Sequence, residues 1–230
     1  MKQFFFSSTF KSAIAKTMPD STRWDVVCNL PKIESWRKKH VGKDCPIFEK
    51  RTELYDYLNS KVINGPVDYL EFGVYEGESM RHWVQANKFA ESRFYGFDTF
   101  TGLPENWKKF NNDMAEGTFD LKGQTPQLGD DRVKFIKGLF QDTADEFIAN
   151  FTPRSQLVIH NDSDLYSSTL FVLTRFHDVL KPGTIIVFDE FSSVLNEFRA
   201  LDDYCTSYRR SYKVLGATSA YFAQIAIQLA

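Results

Sequence analysis

The stretch that most constrains the fold is a short apolar run followed by two glycines, between Val67 and Ser79. Its pattern predicts a β-strand that enters a tight turn and then a helix. Gly73 and Gly77 lack a Cβ atom, so the backbone can turn sharply there and approach a bound ligand closely. Because the free amides at a helix start point toward the mouth of such a turn, the stretch predicts a ligand cradle.

The spacing and the charge of this turn indicate which ligand it suits. Three residues separate the two glycines, whereas the dinucleotide-binding fingerprint has the pattern G-x-G-x-x-G. The turn also carries three acids, Glu71, Glu76 and Glu78, which would repel a pyrophosphate. An acid-rich turn instead favours a ligand that has a positive end and hydroxyl groups.

Length and composition indicate one α/β domain. The chain has 230 residues, of which 43% are apolar and 16% aromatic, enough for one sizeable core but not for two. The net charge of −2 gives no general attraction to nucleic acid, so we expect no nucleic-acid partner. No apolar run approaches the roughly 18 residues that cross a bilayer, so we expect no membrane span.

Cysteine usage favours a reducing, cytoplasmic location. Cys28, Cys45 and Cys205 form an odd set without C-x-x-C spacing, which predicts neither a disulfide framework nor a zinc site. The apolar opening at residues 1–6 is interrupted by polar residues before the core of a signal peptide has formed.

The first 50 residues differ in character from the rest of the chain. We predict a helical cap or partly ordered extension over 1–50, followed by the main domain over 51–230. Residues 2–16 are basic and acid-free, which leaves a targeting role open, and packing of this segment on a second subunit leaves a homo-oligomer open. Apolar residues at three- and four-residue intervals from Phe48 to Val62 predict the next helix.

The strand that follows the glycine turn along the chain ends in an acid, Asp98. Ligands of open α/β sheets lie beyond the carboxyl ends of the strands, where such an acid accepts hydrogen bonds from ribose hydroxyls. Residues 101–131 then form an irregular insertion, and an insertion of that length in a compact domain is typical of a substrate lid. Three aromatic residues of this lid are candidates for closing over an organic substrate: Trp107, Phe110 and Phe119.

A later apolar strand leads into two acids. The strand ends at His160, which we interpret as a hydrogen-bonded core residue, and Asp162 and Asp164 follow. Because side chains alternate along an extended chain, these two carboxylates are expected to point to the same side.

The next apolar strand, residues 184–188, ends in the acidic pair Asp189 and Glu190. The carboxyl ends of neighbouring parallel strands meet at one edge of a sheet, so we expect this pair to converge with Asp162 and Asp164. Carboxylates that face one pocket repel one another and need a cation, a shared proton or a hydrogen-bond donor. Oxygen atoms of Asp162, Asp189 and Glu190 therefore predict a Mg²⁺ site, with Asp164 left as a general base.

The glycine turn resembles the first motif of class I S-adenosylmethionine-dependent methyltransferases, E-x-G-x-x-x-G-x-S, at Glu71, Gly73, Gly77 and Ser79. The acids suit that chemistry. A hydroxyl is a poor nucleophile while it is protonated, and a coordinated metal, a carboxylate base or both activate it. Methyl transfer from a sulfonium then requires mostly alignment of oxygen, carbon and sulfur. We therefore predict an O-methyltransferase with Asp164 as its catalytic base.

A closer resemblance is to the macrocin O-methyltransferase type of metal-dependent sugar O-methyltransferases. It rests on the D-x-D-x-Y-x-S-T pattern that ends at Thr169, on the later acidic pair, and on the segment Gly96–Pro104. The resemblance runs from about Arg51 to the C-terminus. It departs at Glu190, where that family commonly has Asp, and in the first 50 residues, which match no pattern.

The resemblance implies a Rossmann-like sheet of seven mostly parallel strands with helices on both faces and the last strand antiparallel. It also implies S-adenosylmethionine as methyl donor, with the adenine ring near Phe140, and a hydroxyl of a small molecule or sugar as acceptor. The residues that it assigns to the donor are Glu71, Gly73, Gly77, Ser79, Asp98, Thr99, Phe140 and Asp162.

Two alternatives to this function stay open. One is an NAD-dependent oxidoreductase, which the glycine spacing disfavours. The other is a catalytically silent binding protein of the same fold, which would have no reason to keep four acids at one sheet edge.

Overall fold

The predicted strands assemble into one central sheet with helices packed against it. The computed structural model describes residues 7–230, so the prediction about the opening run at 1–6 lies outside the described residues. The strands of the sheet are β1 (Ile47–Phe48), β2 (Val67–Phe72), β3 (Arg93–Asp98), β4 (Val133–Lys137), β5 (Gln156–Asn161), β6 (Ile185–Phe188), β7 (Tyr212–Thr218) and β8 (Ile225–Leu229).

The sheet has the strand order β1-β7-β8-β6-β5-β2-β3-β4. Strand β8 runs antiparallel to both of its neighbours, and the other pairs are parallel. The expected mostly parallel sheet with an antiparallel last strand is confirmed, and the two-residue strand β1 extends it at one edge. Phe48, which the periodicity assigned to a helix, lies in β1 because its backbone pairs with β7 instead; the amide of Ser219 donates to its carbonyl at 2.8 Å.

Helices pack on both faces of the sheet, with α3 and α4 on one face and α5, α6 and α7 on the other. Helix α3 continues directly into one π-helical turn at Leu58–Val62. The helices of the described chain are α1 (Ser8–Thr17), α2 (Thr22–His40), α3 (Arg51–Tyr57), α4 (Glu78–Ala86), α5 (Phe140–Asn150), α6 (Tyr166–Arg175) and α7 (Glu197–Ser207).

The central strands are buried on both faces, which explains their nearly continuous apolar sequences. Along β2, Leu70 and Phe72 contribute to the core on one face, and Val67 and Tyr69 contribute to the core on the other. Strands β2, β5 and β6 are neighbours and parallel, so their carboxyl ends lie at the same edge of the sheet.

The N-terminal helices attach to this domain through the second half of α2. Helix α1 buries none of its side chains, whereas α2 buries Ile33 and Trp36. The Trp36 ring packs on Phe191 at a centroid distance of 4.7 Å, and its Nε1 donates to the hydroxyl of Tyr212 at 2.7 Å. None of the helices that the structure describes is long and apolar enough to cross a membrane.

The insertion at residues 101–131, called the lid segment below, has little regular structure. Its two isolated β-bridges include one between Trp107 and Met114. Side chains from four other parts of the chain donate hydrogen bonds to the lid segment: Arg23 to the carbonyl of Phe110, Asn196 to the carbonyl of Lys108, Ser167 to the carboxylate of Glu105, and Lys137 to the carbonyl of Gly123.

Gly73 lies where β2 and β5 approach each other at their carboxyl ends. Its φ is 90°, and a Cβ atom built there would lie 1.9 Å from the backbone oxygen of Asp162. The two strand ends are held together at this point by a hydrogen bond from the amide of Asp162 to the carbonyl of Phe72, at 2.9 Å. Any side chain at position 73 would therefore force these two strand ends apart.

We expect Gly73→Ala to lower the free energy of unfolding by about 3 kcal/mol or more, because it adds a backbone clash to an unfavourable φ. The matched control is Gly117→Ala in the lid segment, where φ is 79° but no atom lies within 4 Å of the new Cβ. The control should lose only about 1 kcal/mol. Urea denaturation of both variants measures the difference, and equal losses would contradict the clash.

Candidate active site

A cavity of about 470 Å³ opens at the carboxyl edge of the sheet, beneath the lid segment. Its wall includes the turn after β2, the end of β3, the residues that follow β5 and β6, and the start of α5. Seven of its lining residues are acidic and two, Arg51 and Lys109, are basic. A cavity with this balance attracts positively charged groups and repels anions.

The structure brings most of the predicted site residues to this cavity and leaves two outside it. Glu71 and Gly77 are not part of the cavity wall. Those that line it are Gly73, Ser79, Asp98, Thr99, Phe140, Asp162, Asp164, Asp189 and Glu190.

Glu71 is fully buried beneath the turn and serves as an acceptor for its neighbours. It accepts a hydrogen bond from the hydroxyl of Tyr69 at 2.8 Å and another from the hydroxyl of Ser79. Burial raises the pKa of this carboxyl. Glu71 therefore fixes the first turn of α4 from below, while Gly77 packs against Pro126 of the lid segment.

Asp98 holds the glycine turn through its backbone. Its Oδ2 accepts from the amides of Val74 and Tyr75 at 2.8 and 2.9 Å, and its Oδ1 accepts from the amide of Phe100 at 2.7 Å. A carboxylate has about four lone-pair positions, so one remains for a ligand hydroxyl. The sequence predicted the ligand contact but not these three amide contacts.

Asp164 reaches the cavity by a route that strand alternation did not predict. Strand β5 ends at Asn161, and the chain then turns, with the amide of Leu165 donating to the carbonyl of Ser163 at 2.6 Å. Asp164 has a φ of 61°, so the chain is no longer extended there. The turn, not alternation, brings its carboxylate to the cavity together with that of Asp162.

The carboxylates at this edge shift one another's protonation. Desolvation, followed by the charges of Asp189 and Asp164, raises the pKa of Asp162 well above its usual range. Burial and the charge of Glu190 raise the pKa of Asp164 to about 8, against the opposing charge of Lys109. Burial also raises the pKa of Glu190. Such a cluster is poorly compensated without an added cation.

Asp189 is the exception, because three donors or cations surround it. Burial alone would raise its pKa, but the ring of His160, the guanidinium of Arg51 and the hydroxyl of Tyr55 together hold it below its usual value. Arg51 Nη1 lies 3.1 Å from Asp189 Oδ2, and Arg51 Nη2 lies 2.7 Å from Glu78 Oε2. Arg51 thus links the acid after β6 to the first turn of α4.

Sequence reasoning missed Arg51, Tyr55 and Lys109 as site residues. Arg51 and Tyr55 belong to a helix that was recognised only by its apolar face, and more than 130 positions separate them from Asp189. No local pattern joins residues so far apart. His160 was interpreted as a core residue, and its position near the end of β5, two residues before Asp162, is the signal that could have linked it to the site.

One group of side chains in the described chain offers metal ligands. His160, Asp162 and Asp189 each have a ligand atom within 4.8 Å of those of the other two. Glu190 lines the same cavity but does not belong to this group. A donor set of one imidazole and two carboxylates fits a divalent cation.

Comparison with known families agrees with this arrangement. A family model described as macrocin O-methyltransferase matches residues 36–214, more than half of the chain. The chain belongs to the macrocin O-methyltransferase family. It is an S-adenosylmethionine-dependent O-methyltransferase that acts on a hydroxyl of a small molecule or sugar, as predicted. The match starts inside α2, earlier than the resemblance from Arg51 onward indicated.

Two curated relatives are O-methyltransferases of Streptomyces olivaceus and Micromonospora griseorubida. The chain is 28% identical over 200 residues to the 8-demethyl-8-(2,3-dimethoxy-alpha-L-rhamnosyl)-tetracenomycin-C 4'-O-methyltransferase of Streptomyces olivaceus, with 76% of this chain and 73% of the relative covered. It is 27% identical over 181 residues to the mycinamicin III 3''-O-methyltransferase of Micromonospora griseorubida, with 66% and 69% covered.

Solved structures of O-methyltransferases share the fold. The O-methyltransferase NovP aligns with a TM-score of 0.58 at 21% identity, over 77% of this chain and 78% of NovP. The calicheamicin methyltransferase CalS11 aligns with a TM-score of 0.58 at 20% identity, over 96% and 93%. The family match leaves neither the oxidoreductase nor the silent binding protein with support.

We expect Asp98→Asn to loosen the glycine turn of this methyltransferase. The side-chain NH₂ of asparagine would face a backbone N–H that now donates to the carboxylate, so two donors would meet without an acceptor. The cost of an unpaired buried donor, about 1–3 kcal/mol, should appear as a lower unfolding free energy and a roughly tenfold weaker binding of S-adenosylmethionine. Calorimetric titration measures the affinity. Asp120→Asn is the control, since Asp120 accepts only from the amide of Lys122 in the lid segment; an equal loss of affinity there would contradict the role of Asp98.

Proposed function

We propose that this enzyme methylates a sugar hydroxyl, with Asp164 as general base and a divalent metal beside it. The observation that carries the proposal is the convergence of four carboxylates with the glycine turn in one cavity. The sugar acceptor is supported by the Streptomyces olivaceus relative, whose name describes 4'-O-methylation of a rhamnosyl compound.

The methyl donor is assigned to the side of the cavity formed by β2, β3 and α5. The open turn at Gly73, the hydroxyl of Thr99 and the remaining acceptor position of Asp98 suit the donor's amino and ribose groups. Phe140 is partly buried, and its ring packs edge-on against Phe72 at 5.4 Å, which leaves it on the cavity wall as a candidate contact for the adenine ring. The negative lining suits the positive sulfonium.

The metal is assigned to the acids that follow β5 and β6. Asp162, Asp189 and Glu190 supply oxygen ligands of the kind that Mg²⁺ prefers. When bound, the ion lowers the pKa of an acceptor hydroxyl and offsets the repulsion among these carboxylates. Arg51 donates to Asp189 Oδ2 and Tyr55 donates to Oδ1, which keeps that carboxylate in one orientation.

Asp164 is assigned the proton transfer. Asp164 is 9% exposed and lines the cavity beside Glu190 and Lys109. Few water molecules therefore compete with the acceptor hydroxyl for contact with its carboxylate. A carboxylate at this position takes the hydroxyl proton as the oxygen attacks the methyl carbon. The oxygen–carbon bond forms while the carbon–sulfur bond breaks and the donor leaves as a neutral thioether, which requires oxygen, carbon and sulfur to lie in line.

The lid segment is assigned the recognition of the acceptor. Trp107 and Phe119 line the cavity, whereas Phe110 does not and is 46% exposed. Phe110 was predicted to close over the substrate. Instead, its backbone carbonyl accepts a hydrogen bond from Arg23 at the start of α2, and its ring is not part of the cavity wall. Through Arg23, helix α2 thus steadies the lid segment.

We also place the enzyme in the cytoplasm. Cys28, Cys45 and Cys205 are all free thiols, which supports a reducing compartment.

Calorimetric titration with S-adenosylmethionine and, separately, with NAD, each with and without Mg²⁺, tests this function. We expect micromolar binding of the methyl donor and none of NAD. A glycosylated acceptor panel with mass-spectrometric detection then identifies the methylated hydroxyl. Methylation of a phenol in preference to every glycoside would overturn the sugar assignment.

Asp164→Asn should lower kcat by about 10²- to 10⁴-fold, because the amide cannot accept the hydroxyl proton. The affinity for S-adenosylmethionine should stay within about threefold, since the donor cradle is formed elsewhere. Steady-state kinetics and calorimetry measure the two quantities. Asp145→Asn, an exposed acid of α5, is the control; turnover retained in Asp164→Asn would remove Asp164 as the base.

Trp107→Ala should raise the KM for the acceptor at least about tenfold, because a large aromatic surface is removed from the cavity. Phe110→Ala is the matched control, since it removes an aromatic ring from the same segment but outside the cavity. Steady-state kinetics with varied acceptor gives both values. Equal effects of the two substitutions would show that the lid acts through its overall folding and not through Trp107.

A further inference from the structure

The indole N–H of Trp107 is a buried hydrogen-bond donor without a partner. Trp107 is 2% exposed, and among the described residues its Nε1 meets neither solvent nor an acceptor. The described chain has two other buried polar side-chain atoms of this kind, in Trp83 and Arg210, but only Trp107 of the three lines the active-site cavity. Because buried polar groups are nearly always paired, this donor indicates a partner that binds in the cavity.

The backbone of the lid segment fixes where this ring lies. Trp107 and Met114 exchange two backbone hydrogen bonds, at 2.8 and 3.0 Å. Asp113 closes the turn between them, because its carboxylate accepts from the amide of Lys109 at 3.0 Å and from the ammonium of Lys108 at 2.7 Å. The turn therefore holds the ring at the cavity without any contribution from the indole N–H.

Lys109 shows which part of the cavity the ring borders. Its ammonium lies 3.4 Å from the centroid of the Trp107 ring. The same positive charge acts on the carboxylates of Asp164 and Glu190. Trp107 and the proposed base Asp164 therefore border one part of the cavity, which is the part assigned to the acceptor.

We propose that the indole N–H of Trp107 donates a hydrogen bond to a second hydroxyl of the acceptor, one that is not methylated. A hydroxyl suits this place because it accepts from Trp107 and donates to a neighbouring carboxylate at the same time. The inference rests on the proposed function and deepens it. By this contact the enzyme selects a polyhydroxylated acceptor, such as a sugar, over a phenol that carries a single hydroxyl.

The burial of the donor makes this selection strong. An exposed N–H exchanges a hydrogen bond with water for one with the ligand, so its net gain is small, whereas the N–H of Trp107 has no water to release. An acceptor with a hydroxyl at this place should therefore be preferred at least about tenfold over one without it. Since solvent does not reach the atom in the free protein, the bond forms as the lid segment closes on the acceptor.

Nuclear magnetic resonance of the ¹⁵N-labelled full chain tests the contact directly. The chain has four tryptophans, and Trp107→Phe identifies the indole signal that belongs to Trp107. The probe is methyl α-L-rhamnopyranoside, added in the presence of S-adenosylhomocysteine, because a rhamnosyl group occurs in the name of the Streptomyces olivaceus relative. We expect the signal to move downfield and to saturate as the hydrogen bond forms. Rhamnoside binding that leaves this signal in place would overturn the inference.

A cycle of protein and acceptor variants measures the hydrogen bond. The acceptors are the rhamnoside and the three forms that each lack one ring hydroxyl. With wild-type protein, one form that is still methylated should lose at least about tenfold in kcat/KM. With Trp107→Phe, the complete rhamnoside should lose about the same factor, and removal of that hydroxyl should then cost less than about threefold more. Two losses that simply multiply would overturn the inference.

Trp24→Phe is the matched control, because Trp24 is 38% exposed on α2 and does not line the cavity. It should leave both the signal of Trp107 and the cycle unchanged, and an equal loss there would contradict a specific role of Trp107. Where Trp107→Phe does not fold, Lys109→Met identifies the signal, because it removes the ammonium from the face of the ring. The signal that this substitution moves must then respond to the rhamnoside.

These outcomes are distinct from failure of the proposed function. Methylation of the rhamnoside without coupling to Trp107 removes the inference and leaves the sugar acceptor intact. Absence of both binding and methylation of every rhamnoside also removes the inference. Methylation of phenols alone in the acceptor panel would then remove the sugar acceptor as well.

Discussion

Repulsion among buried carboxylates is the interaction on which the site depends. Four acids from two neighbouring strand ends share one cavity, and their pKa values are raised except where Asp189 meets Arg51, Tyr55 and His160. Such an arrangement is unfavourable by itself and becomes favourable when positive charge enters. Binding of the donor's sulfonium, and of the divalent ion proposed above, would relieve the repulsion that folding creates among these preorganised groups.

The acids keep their positions because the frame beneath them is rigid. The strand ends of β2 and β5 meet so closely at Gly73 that a side chain has no room, and Asp98 draws three amides of adjacent loops into one contact. Neither feature touches the chemistry directly. Each limits how far the turn and the acids can move apart, and a displacement of about 1 Å is enough to slow an aligned transfer severely.

Much of the fold and part of the site followed from local sequence. Apolar strands that end in acids, and glycines placed between a strand and a helix, have physical meanings that do not depend on distant residues, so the sheet and the presence of Asp98, Asp162 and Asp189 at its edge were predictable. The short strand β1 was not, because its pairing with β7 is a long-range contact. The roles of Arg51 and Tyr55 could not be predicted for the same reason. Asp164 reaches the cavity through a turn with a left-handed backbone, which the sequence does not indicate.

The lid segment and the acidic strand ends come from separate parts of the chain and meet only across the cavity. The core strands cannot vary without disturbing packing on both faces of the sheet, whereas the lid segment has few regular backbone pairings to lose. Substitutions, insertions and deletions in residues 101–131 therefore meet little resistance from the core. An enzyme built in this way can diversify its acceptors over evolutionary time while one inherited catalytic apparatus stays unchanged.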